Sequence, residues 1–241
     1  MSFAITAPAK PAGISSREAL LDAAEMLFAE HGYDAVSIRN ITGRANVRLA
    51  MASYHFGTKE NLFDAVIARR ADALNRERRA ALGALERIGT PDIQAVLRAF
   101  IWPYMELATT GGQEWASYCR LIAQAGPGDR WRDLLSHHFD ETAQRFIDAI
   151  HANLPGAPRA TAVRGFVFAV GTMVSAFSGN RRVTRLSGGE LDADDLRLTC
   201  EAMIPFLSAG IKELITIVPR RRRSTPARKS RRDSASTPVN I

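Results

Sequence analysis

The chain has 241 residues, 46% hydrophobic, 24% charged and 7% aromatic, with a formal net charge of +7 at neutral pH. That is enough apolar material for one large domain or two modest ones. It excludes collagen-like, low-complexity and membrane-spanning classes. Two cysteines, Cys119 and Cys200, cannot form a disulfide framework and fit a reducing, cytoplasmic setting. The positive charge is badly spread. Eight arginine and lysine side chains between Pro219 and Ile241 face a single Asp233, so this tail carries the whole +7 and the rest of the chain is neutral.

Residues 1–14 read as a loose leader with Pro8, Pro11 and Gly13, and no signal-peptide apolar core. From Ser15 onward the apolar spacing is helical. Leu20, Leu21, Ala24, Leu27 and Phe28 share one face, with Ser15 or Ser16 as cap and His31-Gly32 as stop. A short helix is expected from Ser37 to about Ala45, and another from about Arg48 to Phe56. Thr58 then caps a long helix striped by Leu62, Phe63, Val66, Ile67, Ala71 and Leu74. Beyond Gly83 the pattern predicts helices near 91–109 (broken or kinked by Pro103), 112–125, 129–152, 157–178 and 192–217, separated by Gly and Pro clusters. No alternating run argues for strands, so the fold class is all-α. The apolar run Phe166–Phe177 is interrupted by Gly171, Thr172 and Ser175 and is too short for the ~20 residues of a membrane span.

Residues 37–56 fit a helix-turn-helix, whose second helix must enter a major groove ~12 Å wide. Ile38, Ile41 and Ala45 would face inward from the first helix, and Asn46 suits a left-handed turn. Val47, Met51 or Ala52, and Phe56 would anchor the second helix. Between Ala35 and Lys59 the chain carries Arg39, Arg44, Arg48 and Lys59 and no acid at all, the expected footprint of phosphate contact. On spacing and charge alone, a helical hairpin with surface arginines remains open.

The stretch Ser16–Leu62, with Ala23-Ala24-x-x-Leu27-Phe28, Gly32-Tyr33, Ser37-Ile38-Arg39-Asn40-Ile41 and Tyr54-His55-Phe56-Gly57-Thr58-Lys59-Glu60-x-Leu62, resembles the DNA-binding domain of the TetR family of repressors. The resemblance implies a double-stranded DNA operator as partner and assigns roles by position. Ser37 and Lys59 would hold phosphates, and Arg39 would reach a phosphate or base edge. Arg48, Leu49, Ala50 and Met51 would read bases, with Ser53, Tyr54 and His55 at the end of the reading helix. Two departures stand out: many members have Gly where this chain has Asn46, and Tyr where it has Ser53.

The resemblance divides the chain into a leader (1–14), a helix-turn-helix domain (15–62), an effector-binding and dimerisation domain (63–218) and a basic tail (219–241). It also implies a homodimer, which would use the helix near 157–178 and the last helix. Gly165, Ala169, Met173, Ala176, Phe206 and Leu207 are the candidate interface. A small-molecule effector, apolar or lipid-like, would sit among the middle helices, where Trp102, Met105, Trp115, Tyr118, Phe139 and Phe168 are candidate lining residues, although each could equally be plain core. Adjacent His137 and His138 point to different sides of a helix, so no metal site is expected. No phosphate loop, nucleophile elbow or dinucleotide fingerprint appears, so neither a cofactor nor an enzyme is expected. The rival readings are a helical binding protein or enzyme with an incidental hairpin, and a nucleic-acid binder driven by its tail. Truncation after Val218 tests the tail: unchanged salt dependence of DNA affinity would exclude it as a DNA-binding arm.

Overall fold

The computed structural model describes residues 15–126, 129–179 and 181–217; the leader and the basic tail lie outside these. The described residues form helices joined by short turns, with no strand among them. The N-terminal unit is α1 (Ser16–His31), α2 (Ile38–Ala45) and α3 (Leu49–Phe56). Local chemistry sets each boundary. Ser15 Oγ accepts from the Glu18 amide, and Gly32 ends α1 at φ 78°, where a side chain would be strained. Ser37 and Asn40 close a reciprocal capping box on α2. Asn46 takes up the left-handed conformation (φ 52°, ψ 47°) expected of it and turns the chain into α3.

Thr58 caps α4 (Lys59–Glu86), its hydroxyl accepting from the Asn61 amide. At 28 residues α4 is about 42 Å long, and Gly83 does not interrupt it. The body consists of α5 (Ile93–Thr110), α6 (Gly112–Ala125), a single 3₁₀ turn (Asp129–Trp131), α7 (Arg132–Ala152), α8 (Arg159–Phe177), α9 (Arg182–Leu186) and α10 (Leu196–Ile217). Of the break or kink expected at Pro103, the break does not occur: α5 runs through it, with Phe100, Ile101, Tyr104 and Met105 buried on either side. The five-residue α9 has no periodic signal in the sequence.

Packing joins the two parts. α1 lies against α6 as well as against α2 and α4, and one apolar core runs from Leu20 to Ile211. A buried ionic cluster reinforces this junction. The Glu25 carboxylate, almost wholly buried, takes Arg69 at 2.6 Å and Arg70 at 3.0 Å from α4, and Arg70 continues to Glu114 of α6 at 2.7 Å. Burial works against the Arg69 and Arg70 charges, but the carboxylates more than offset it and hold both guanidiniums above their ordinary pKa. At the opposite side α8 and α10 approach closely at Gly165, where a Cβ would come within 2.8 Å of Ile211.

Candidate nucleic-acid interface and ligand cavity

The helix-turn-helix is built as its sequence suggests. Ile41, Ala45, Ala52 and Phe56 are buried between α1, α2 and α3, while Ile38, Val47 and Met51 are half-buried around them. The opposite surface is left to solvent. Arg39, Arg48, Leu49, Ala50, Ser53 and Tyr54 are all exposed, and Tyr54 retains 79% of its surface. Arg48 stands at the N-cap of α3 with its side chain uninvolved in capping. Leu49 and Tyr54 are large side chains left unburied in a stretch that carries no acid from Ala35 to Lys59.

Three of the candidate DNA contacts have local partners. Ser37 spends its hydroxyl on Asn40, so what it presents outward is the N-terminus of α2. His55 turns back to α1, its Nε2 2.8 Å from Ser16 Oγ. The Lys59 ammonium donates to the Tyr33 carbonyl at 2.6 Å and lies 4.0 Å from the centre of the Tyr33 ring. Burial lowers the Lys59 pKa, and the ammonium ties the turn after α1 to the start of α4. The same Tyr33 ring meets Trp131 edge-on and Arg130 at 4.5 Å, and its hydroxyl donates to Glu60 at 2.7 Å. The 3₁₀ turn of the body is therefore in direct contact with the helix-turn-helix unit.

In the body, a cavity of about 310 Å³ opens among α4–α8. Leu74, Arg78, Phe100, Tyr104, Phe166 and Met173 are among its lining residues. Of the six side chains expected in a pocket, only Phe139 lines it. The other five follow which face of its helix each one occupies. α5 turns Phe100 and Tyr104 to the cavity and puts Met105 into the core and Trp102 outside, between Arg98 and Arg197. Trp115 packs edge-on against Tyr118 beneath Arg70, and Tyr118 is core, donating to the Ile67 carbonyl at 3.2 Å. Phe168 is on the outer face of α8 and more than half exposed. Arg78 is the residue the apolar pattern passes over. Its signal is a charge on the buried stripe, four residues from both Leu74 and Leu82.

The expected dimer residues divide in the same way. Gly165, Ala169, Met173 and Leu207 are buried within the subunit, because the small-residue ridge of α8 is used against α10 and Met173 faces the cavity. Ala176 is half-buried and Phe206 is 71% exposed. Beside Phe206 the outer faces of α8 and α10 expose Val167, Phe168 and Leu198, flanking a groove closed on its far side by Val183, Leu186 and Leu191. The cysteines are buried, and burial pushes the Cys119 thiol up to about 12 and that of Cys200 to about 11, so both are protonated at neutral pH. His138 is taken by Asp64 at 2.8 Å and His151 lies 3.0 Å from the Ala157 carbonyl.

The exposed basic helix-turn-helix on a helical body defines a DNA-binding regulator, and comparison with known proteins gives the family. Residues 20–66 match the family of bacterial regulatory proteins described as tetR, and residues 98–210 match a tetracyclin repressor-like C-terminal domain. The chain belongs to the TetR family of bacterial transcriptional regulators. Curated relatives align over only part of the chain. The HTH-type transcriptional repressor Rv3405c of Mycobacterium tuberculosis is 45% identical over 58 residues, 24% of this chain and 31% of that protein. The repressor AcnR of Corynebacterium glutamicum is 39% identical over 49 residues, 20% and 26% of the two chains. The aligned part thus spans about a third or less of these relatives.

Solved structures share the whole fold at low identity. The ketosteroid transcriptional regulator KstR2 of Mycobacterium tuberculosis has a TM-score of 0.56 at 18% identity, over 84% of this chain and 98% of that one. SmeT, repressor of a multidrug efflux pump of Stenotrophomonas maltophilia, has a TM-score of 0.56 at 18% identity, over 81% and 90%.

Proposed function

We propose that the protein is a homodimeric cytoplasmic repressor that holds a pseudo-palindromic operator through α3 and releases it when a small molecule fills the cavity. One observation carries this reading. α4 follows the recognition helix directly at its Lys59 end and walls the cavity with Leu74 and Arg78, so a single rigid element joins the two sites. Arg48 and Leu49–Met51 are the base-reading candidates, with Arg39, Ser53, Tyr54 and the N-terminus of α2 at Ser37 against the phosphates. An effector acts to the extent that it binds one disposition of the two reading heads better than the other. The second copy is seated on the exposed apolar face of α8 and α10, which no described residue of the subunit covers, and would set two heads on half-sites ~34–36 Å apart.

Footprinting on the DNA upstream of its own gene tests the reading, with a two-fold pattern of protection as the expected result. Arg48→Ala should weaken specific binding by about 1–3 kcal/mol and relax preference at one base pair of each half-site. Specific affinity unaltered by Arg48→Ala combined with Tyr54→Ala would place the reading surface elsewhere.

A further inference from the structure

The cavity is apolar on most of its wall, yet it contains a cation. Arg78 is almost completely buried. Its Nε donates to the Phe100 carbonyl at 3.0 Å, its guanidinium carbon lies 3.9 Å from the centre of the Phe100 ring, and among the described residues Nη2 has only the Met173 sulfur at 3.9 Å. No carboxylate pairs with it among the described residues; Tyr104, Tyr118 and Cys119 are the titratable groups that act on its charge. Burial pushes its pKa down to about 10, which still leaves it charged at neutral pH. Asp129, Arg132 and Asp140 also line the cavity, but at its exposed end, and Arg132 is paired with Asp129. Arg69 and Arg70, a little over two turns of α4 before, each have the Glu25 carboxylate. A buried guanidinium with a ring, a carbonyl and a thioether for company is costly unless an anion completes it. It keeps a planar edge of N–H donors suited to a carboxylate.

We propose that the cavity takes a small amphipathic carboxylic acid, its carboxylate on Arg78 and its apolar body against Phe100, Phe139, Phe166 and Val170. This rests on the cavity being the effector site. Size narrows the class: about 310 Å³ is at the lower end of ligand pockets, which suits a medium-chain fatty acid or an arylalkanoic acid and is too small for a coenzyme thioester. One unpaired cation matches one negative charge, which argues against a phosphate dianion.

Calorimetric titration of the full chain without DNA tests this, using octanoate against 1-octanol and 4-phenylbutyrate against 4-phenyl-1-butanol. At least one acid should bind about tenfold or more tightly than its alcohol. Arg78→Met should abolish that preference, leave the alcohol bound and raise the melting temperature of the unliganded protein. Phe139→Trp, which fills the cavity from α7 and keeps the Arg78 guanidinium, should weaken acid and alcohol together, so the location is tested even if Arg78→Met fails to fold. Equal affinity for acid and alcohol, no binding of either acid, or a preference that survives Arg78→Met would each overturn the proposal. If an acid binds with this preference and operator affinity does not change, the cavity chemistry stands and its role in release falls. If no acid binds and the operator is still held, the ligand class falls and the DNA-binding reading stands.

Discussion

Phe206→Glu should turn the protein into a monomer and lower its operator affinity by about 10²–10⁴-fold, the advantage that two linked half-site contacts have over one. The side chain is 71% exposed within the subunit, so the change leaves the folded monomer intact and acts only where two copies meet. In a two-fold interface each substitution appears twice, placing two carboxylates in an apolar contact. Val167, Phe168 and Leu198 around it would be left facing water. Light scattering after size-exclusion chromatography gives the mass, and a gel-shift titration gives the affinity. A Phe206→Glu protein that still elutes as a dimer would move the interface away from α8 and α10.

Glu25→Ala is expected to cost about 3–5 kcal/mol of stability, the range for removing one partner of a buried ion pair. The carboxylate is 1% exposed and is shared by Arg69 and Arg70, and Arg69 Nε already lacks a partner. Removing Glu25 leaves Asp22 and Glu18 on Arg69 and Glu114 on Arg70, all of them more exposed and weaker partners. Glu114→Ala is the control. Its side chain is 66% exposed, and its loss should cost about 0–1 kcal/mol. Urea unfolding of the two variants separates the cases. A Glu25→Ala cost as small as that of Glu114→Ala would mean that the cluster contributes order without stability.

The helix-turn-helix was legible from sequence because its boundaries are written locally. Ser15, Ser37 and Thr58 cap the helices they precede, and His31-Gly32 and Asn46 end the ones they follow, each within a few residues of the element it governs. The exposed face of α3 was legible too, since burying Ala52 and Phe56 leaves Leu49, Ser53 and Tyr54 outside. The cavity was not. Whether Trp102 or Tyr104 faces inward depends on how α5 is rotated against α4, α6 and α10, and apolar residues populate both faces of α5. The same holds for α8, where small residues suited a contact between subunits and one within the subunit equally; Ile211 against Gly165 decides for the latter. Met173 and Phe168, five residues apart on that helix, consequently have opposite surroundings.

The seam between α1, α4 and α6 has a thermodynamic consequence. Phe63, just past the end of the helix-turn-helix motif, packs edge-on against both Phe28 and Tyr33 and lies 4.3 Å from the Trp131 ring. A fragment ending at Leu62 would lose that ring, strip Glu25 of both its guanidiniums and open the face of α1 that rests on α6. The reading head should therefore not fold as an autonomous module. Head and body should melt in one cooperative transition, visible by calorimetry as a single heat-absorption peak whose van't Hoff and calorimetric enthalpies agree for the cooperative unit. Whatever loosens the body is then felt in the population of heads competent to bind DNA.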